Sequence, residues 1–280
     1  MSSETLSKFH DYCTLKRLSE STLIYYDTVL NYFLAFSGKD LFDVEVSDVI
    51  DYQLHLSNRN LSPATVRNYL LGLKVIFRYY GRLDMVEAIV LPKQSKKVVK
   101  LYTDDEIKSM FEALQTYRNQ SIFLLMFDCG LRRSEVINLS TKSVDFIQRQ
   151  IIVSGKGDKQ RIVKIGNALY SCLLECYSLS NKYLLRTKQG GQLTPSAIYK
   201  VFANIKNKTG IHVTPHLLRH NYATRYVIHF LENPQYNVDI FQLQLLLGHE
   251  SLETTKRYIH IAQELLAVKH GFSLFDCYCS

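Results

Sequence analysis

The chain has 280 residues, a net charge of +8 and 46% hydrophobic content, which suits two domains or one large one and excludes wholesale disorder. No apolar run approaches the ~20 residues of a membrane span, and the polar, acid-containing start does not resemble a signal peptide. We therefore expect a soluble, cytoplasmic protein. The six cysteines lack the paired spacing of a zinc or disulfide framework, so ordinary thiols are expected.

Charge is distributed unevenly along the first hundred residues. Residues 1–58 carry 4 Lys and Arg against 9 Asp and Glu, whereas residues 59–100 carry 9 against 2. A basic block beside an acidic one suggests a polyanion-binding surface, with a solvated charged face as the alternative.

The same hundred residues are expected to be helical. Apolar positions at helical spacing predict helices at 4–18, 20–37, 45–57 and 62–80. Gly38 and Gly81 mark the ends of the second and fourth helices. Segment 91–100 is basic, contains Pro92 and has no helical period. We therefore expect a helical domain at 1–90, a linker at 91–100 and a second domain at 101–280.

The second domain begins with a capping-box pattern, Thr103 to Glu106. Helices are expected at 103–116, 119–129, from near 134, 167–180, 195–208, from Thr214-Pro215 onward, and 238–247, where Gly248 ends the last. Between 150 and 165 the apolar period changes to two, which predicts a β-hairpin with Lys156 at its turn. The expected fold class is mostly α with a small β-hairpin or sheet in the second domain (α+β).

The predicted fourth helix carries basic residues along one side. At about 100° per residue, Arg67, Lys74 and Arg78 lie within about 40° of one another, with Arg82 close by, away from the apolar centre. No acid interrupts this basic stripe, which favours contact with DNA phosphates over a plain solvated face.

Four short motifs follow one another in the second domain. They are Cys129-Gly-Leu-Arg-Arg-Ser-Glu135, Gly155-Lys-Gly157, His216-Leu-Leu-Arg-His220, and Leu247-Gly-His-Glu-Ser-Leu-Glu-Thr-Thr-Lys-Arg-Tyr-Ile-His260. Each alone is weak, because helical arginines are mostly surface residues and helical tyrosines mostly pack. Together and in this order they closely resemble the tyrosine recombinase (phage integrase and Xer-type) family. The resemblance covers nearly the whole chain, and its first part resembles the family's helical core-binding, SAM-like domain.

The resemblance implies a role for each matching residue. It makes Tyr258 the nucleophile, Arg132 and Arg219 the phosphate-binding arginines, and Lys156 the hairpin lysine. His216 and His249 match the two catalytic histidines, and Glu135 and His220 match the acid and histidine that accompany the site. Arg133 lies where the family varies and is interpreted as a bystander or a DNA contact.

The chemistry of a phosphodiester explains these residue types. Two guanidiniums can neutralise and orient the phosphate oxygens as charge builds on them. Tyr258, with an ordinary pKa near 10, needs positioning and a base, for which His216 is the candidate, while His249 binds the phosphate. Lys156 would protonate the leaving 5′-oxygen, leaving a 3′-phosphotyrosine. No cofactor or metal is expected.

The implied activity is site-specific DNA recombination on paired half-sites of double-stranded DNA, with strand exchange in a homotetramer. A catalytically silent DNA-binding relative and a type IB topoisomerase using the same chemistry are the alternatives. Integration, dimer resolution and inversion all stay open, as does the target sequence.

Two segments depart from the simplest family pattern or invite a further role. Residues 231–237 look like an insertion relative to simple Xer-type members and are expected to form a loop. The apolar end of the chain, 271–280, is expected either to fold back or to dock into a neighbouring protomer.

Overall fold

The computed structural model describes residues 3–93, 100–155, 160–178, 182–233, 235 and 239–271. The chain divides into two compact units, Met1–Lys97 and Val98–Ser280. Lys156, most of the expected linker, parts of 231–237 and the chain end from 272 lie outside the described residues. In the part of the chain that is described, no helix is long and apolar enough to cross a membrane.

The first unit is built from helices. They are α1 (Ser3–Leu15), α2 (Glu20–Ser37), α3 (Val46–Asn58), α4 (Pro63–Tyr79) and α5 (Leu83–Ala88). Helix α1 ends at Leu15, earlier than predicted, because Arg17 takes a left-handed backbone with φ 53°. A single core of buried residues, including Phe33, Leu73 and Phe77, joins these helices.

The second unit combines helices with a small sheet. Its elements are α6 (Asp104–Glu112), α7 (Tyr117–Phe127), α8 (Arg133–Asn138), β1 (Val144–Asp145), β2 (Gln150–Ser154), β3 (Gln160–Lys164), α9 (Asn167–Cys176), α10 (Pro195–Thr209), α11 (Pro215–Glu232), α12 (Ile240–Leu247) and α13 (Leu252–Lys269). The strands form an antiparallel sheet in the order β1-β2-β3, with Ile151 opposite Val163. The predicted fold class, mostly α with a small sheet, is confirmed.

Two hydrophobic clusters hold the second unit together. The larger one joins α6–α10 to the buried face of the sheet. The smaller one joins α11, α12 and α13 through Val227, Leu247, Tyr258 and Ala262. Tyr258 is thus part of a packed cluster, which fixes its position relative to α11 and α12.

Several local predictions are confirmed and others are incomplete. The caps at Thr103 and Thr214 and the left-handed glycines at Gly38 and Gly248 are present. Helix α5 and strand β1 were not predicted, because six and two residues are too short to show a period. The predicted helices 103–116 and 167–180 are shorter, ending at Glu112 and Cys176.

Candidate active site

A tight turn before α8 places Arg132. Gly130 has φ +64°, and a Cβ there would lie 2.4 Å from the ring of Tyr222. Only glycine fits both this backbone and this close approach. Arg132 follows as the N-cap residue of α8, so the turn fixes where its side chain starts.

Three arginines surround one buried carboxylate, that of Glu135. Arg161 donates to both carboxylate oxygens at 2.8 and 2.7 Å, and Arg132 Nη1 donates to Oε1 at 2.9 Å. Arg219 Nη1 lies 4.0 Å from Oε2. Burial alone would raise the pKa of Glu135, but hydrogen bonds and charge from Arg161 and Arg132 outweigh it and lower that pKa. Three positive charges therefore face one ionised carboxylate, which leaves two uncompensated.

Arg219 is held rigidly on α11. It is only 5% exposed, and its guanidinium donates to the carbonyls of Gly130 and Leu247, each at 2.5 Å. One side chain thus ties the turn before α8 to the end of α12.

Gly248, which follows α12, binds a second arginine at the same place. It has φ +60°, and its carbonyl accepts from Arg132 Nη2 at 2.6 Å. A Cβ there would lie 3.1 Å from Arg161 and 3.3 Å from Arg132. The absent side chain lets two guanidiniums approach the backbone just before His249.

Tyr258 on α13 is 3% exposed and lies beside two imidazoles. Its ring centroid is 5.3 Å from that of His220 and 6.1 Å from that of His249. Burial raises the pKa of Tyr258, and the nearby charges of Arg219, Arg257 and Arg132 offset this only in part. The hydroxyl is therefore protonated at neutral pH.

The histidines are held neutral. His216 and His220 face each other with Nε2 atoms 2.7 Å apart, while His249 Nδ1 lies 2.9 Å from the hydroxyl of Thr255. Burial, followed by neighbouring positive charge, lowers the pKa of His220 and of His249 to about 4. Burial also lowers the pKa of His216. Neutral imidazoles can accept a proton or donate one hydrogen bond.

Five of the six residues predicted to be catalytic line one cleft of about 710 Å³: Arg132, His216, Arg219, His249 and Tyr258. An adjoining cleft of about 1110 Å³ shares Arg132 and His249 and is also lined by Gly155 and Gln160 of the hairpin. Lys156, the sixth, lies outside the described residues. Among the described residues, no group of three or more His, Cys, Asp or Glu side chains could hold a metal ion.

Comparisons with known proteins agree with the motif pattern. The phage integrase family matches residues 100–264, and the phage integrase N-terminal SAM-like domain matches residues 6–87. The chain belongs to the phage integrase family of tyrosine recombinases. Tyrosine recombinase XerA of Thermococcus kodakarensis is 31% identical over 272 residues, 94% of this chain and 93% of its own length. Tyrosine recombinase XerD of Listeria monocytogenes is 28% identical, over 88% of this chain and 90% of its own length.

Solved structures share the fold of this recombinase. A crystal structure of XerA recombinase has a TM-score of 0.52 at 26% identity and covers 96% of this chain and 99% of its own. XerH site-specific recombinase, bound to a palindromic difH substrate, has a TM-score of 0.72 at 22% identity and covers 94% of this chain and 83% of its own.

Sequence reasoning on this recombinase missed Arg161 and Arg257. Arg257 precedes Tyr258 and lines its cleft. Arg161 contacts Glu135 across 26 positions of sequence, and its nearness to the Gly155-Lys-Gly157 motif was the one available signal. Arg133, left open as a bystander or DNA contact, hydrogen-bonds and stacks on Tyr199.

The predicted basic stripe lies in the first unit of this recombinase. Arg78 is exposed, and Arg67 and Lys74 are partly exposed. Arg67 donates to the carbonyl of Pro92 at 3.1 Å. Arg82 is engaged differently, since its guanidinium donates to the carbonyls of residues 41, 42 and 44 and so secures that loop.

Proposed function

We propose that this recombinase cleaves and rejoins DNA through attack of Tyr258 on a phosphodiester. The Tyr258 oxygen bonds to phosphorus, the bond to the 5′-oxygen breaks, and a 3′-phosphotyrosine remains. The observation that carries the proposal is the cluster of three guanidiniums around Glu135, with two positive charges uncompensated. Two of the three arginines, Arg132 and Arg219, line the cleft that also holds Tyr258. Such a cluster is complementary to a phosphate in which negative charge is growing.

The two cleft arginines take different parts in this proposal. Arg219 is buried and fixed by two carbonyls, so it offers its remaining donors from a set position. Arg132 has a side chain 38% exposed to the cleft and can meet an incoming phosphate. His249, neutral and held by Thr255, would donate a hydrogen bond to the same phosphate.

Proton transfer is assigned to His216 and Lys156. His216 would take the Tyr258 proton, and its hydrogen bond to His220, whose ring contacts Tyr258, connects the three groups. Lys156 would protonate the leaving 5′-oxygen. The hairpin residues on either side of its turn line the adjoining cleft, which supports this assignment.

The wider assembly is proposed from the family and from charge. Double-stranded DNA with paired half-sites is the proposed substrate, and strand exchange would take place in a homotetramer. XerH is recorded on a palindromic difH substrate, and a lambda integrase dimer on a COC′ core site.

The first domain, about 1–90, would hold DNA partly through Arg67, Lys74 and Arg78. Changing these three residues to glutamate should therefore flatten the salt dependence of DNA binding.

Trapping on a nicked DNA site tests the function directly. The nicked strand loses a short fragment after cleavage, so the enzyme cannot religate and stays attached. The wild type should form a protease-sensitive adduct and Tyr258→Phe should form none at near-unchanged affinity. A wild-type protein that binds without any adduct would identify a silent DNA-binding relative. Supercoil relaxation at concentrations too low for assembly would identify a topoisomerase instead.

A further inference from the structure

Arg161 is a nearly buried arginine to which the proposed mechanism gives no contact with the phosphate or with Tyr258. It lies on β3 with 9% of its side chain exposed. Its Nη1 and Nη2 donate to the two oxygens of Glu135, and its Nε donates to the carbonyl of Leu246 at 2.7 Å. One planar group therefore connects β3 with α8 and with the end of α12.

Glu135 transmits the position of Arg161 to Arg132. Oε1 of Glu135 accepts from Arg161 at 2.8 Å and from Arg132 at 2.9 Å, and Oε2 accepts from the Arg132 backbone N–H at 2.7 Å. The carboxylate cannot turn without moving Arg132. Its orientation is set by the paired hydrogen bonds from Arg161.

The Leu246 carbonyl connects Arg161 to the end of α12. Leu246 lies two residues before Gly248, whose carbonyl binds Arg132, and three before His249. The Arg161 guanidinium also packs against Gly248, where a Cβ would lie 3.1 Å away. Arg161 thus contacts the supports of both Arg132 and His249.

We propose that Arg161 is a positioning residue for strand cleavage, which holds Arg132 and His249 at the spacing that the scissile phosphate requires. This inference rests on the proposed function. Lysine cannot replace the arginine, because one ammonium nitrogen cannot reach three acceptors spread along a planar fork.

Arg161→Lys tests the proposal while keeping the charge. Single-turnover cleavage of a nicked site should slow by about 10- to 100-fold, the effect of a small misplacement of reacting groups. Half-site binding should stay close to wild type. The urea midpoint should fall, because buried acceptors lose their donor, so cleavage is measured under conditions where both proteins are fully folded. Arg149→Lys is the matched control, since Arg149 precedes β2 and contacts Asn167 and Tyr170 away from the cleft.

A substrate with an uncharged group at the cleavage position distinguishes misplacement of Arg132 from a general disturbance of the active site. A methylphosphonate at the cleavage position removes the negative charge that Arg132 binds, so the loss caused by Arg161→Lys should shrink toward none on that substrate. Glu135→Asp shortens the same link from its other end and should show the same substrate dependence. If Arg161→Lys does not fold, the substrate dependence of Glu135→Asp tests the positioning role instead.

Each outcome has a distinct meaning. Wild-type cleavage by Arg161→Lys, or equal slowing on both phosphates, overturns the positioning role. Adduct formation by Tyr258→Phe overturns the proposed function itself, whatever Arg161 does.

Discussion

Glu135 shows how a single residue sets the charge balance of the cleft. Its side chain is ionised and buried, with 6% of the residue exposed, and it forms ion pairs with three guanidiniums. A second carboxylate would neutralise the cluster and remove its attraction for phosphate. With only one, the arginines are held close to each other while the site stays positive.

Arg132→Ala should slow cleavage by at least about 100-fold, the effect of one lost donor to developing charge. Binding to a half-site should weaken far less, because in the proposed complex Arg132 would be one phosphate contact among several. Adduct formation on a nicked site under single-turnover conditions measures the first, and gel-shift titration the second. Arg149→Ala, outside the cleft, serves as the control. Cleavage near the wild-type rate would remove Arg132 from the proposed site.

The neutral histidines predict a loss of stability on acidification. His220 and His249 have a pKa near 4 in the fold against 6.5 when unfolded. Between these values the unfolded chain binds more protons, so stability falls as pH drops from 7 to 5. The loss should be on the order of 1 kcal/mol per histidine, since both rings keep some solvent contact.

Urea unfolding at pH 7 and pH 5 checks this. The double variant His220→Gln and His249→Gln should lose less stability between the two than the wild type does. Glu135 contributes in the same direction but at lower pH, below its ordinary value of 4.5. His212→Gln, at an exposed position, reports the effect of the substitution type. Equal losses in the wild type and the double variant would contradict the assignment.

At the scale of elements, Gly130 in the turn before α8 has a positive φ and also packs against the ring of Tyr222. Gly130→Ala should destabilise the protein by about 1–3 kcal/mol or more, because it adds a Cβ at positive φ and against the Tyr222 ring. Gly210→Ala is the matched control, with φ +72° and no atom within 4 Å of the added Cβ. The difference in urea midpoint between them isolates the Tyr222 contact. No difference would mean that the ring moves aside freely.

The elements also show which features a sequence can predict. Helices α2 and α10 have 15 or more residues, clear periods and recognisable ends, and they were predicted nearly to the residue. For α11 the start was predicted correctly and no end was predicted. Helix α5 and strand β1 were missed because they are short. The cleft residues were found through the motifs of a family, not through periodicity.

The contacts between those residues were beyond sequence reasoning. Arg161 reaches Glu135 across 26 positions and Leu246 across 85. The spacing of residues along the sequence does not predict such pairs, because they depend on how β3 packs beside α8 and α12. The contact between His216 and His220, in contrast, could be predicted, because a spacing of four residues places both on one face of a helix.

At the scale of the whole molecule, the chain end is predicted to serve assembly. Deleting 271–280 should leave binding to one half-site intact and remove cooperative filling of the second, because an apolar segment so close to Tyr258 can link neighbouring protomers. Helix α13 itself should persist, since Lys269 is tied to Glu232 at 2.5 Å.

Gel-shift titration on one and on two half-sites measures the effect. Phe272→Ser with Phe275→Ser keeps the chain length and should reproduce the loss. A folded, truncated protein that still fills the second half-site cooperatively would show that assembly depends on another surface.

The burial of Tyr258 has a consequence for the lifetime of a broken strand. Under the proposed chemistry, the phosphotyrosine forms where the tyrosine is 3% exposed and bracketed by two imidazole rings. At so buried a position bulk water would reach the phosphorus poorly, whereas the 5′-hydroxyl of bound DNA would lie in the cleft. Hydrolysis, which would leave a permanent nick, therefore competes badly with religation. In the proposed mechanism the phosphotyrosine bond of a cleaved strand would therefore be protected from water until a DNA 5′-hydroxyl attacks it.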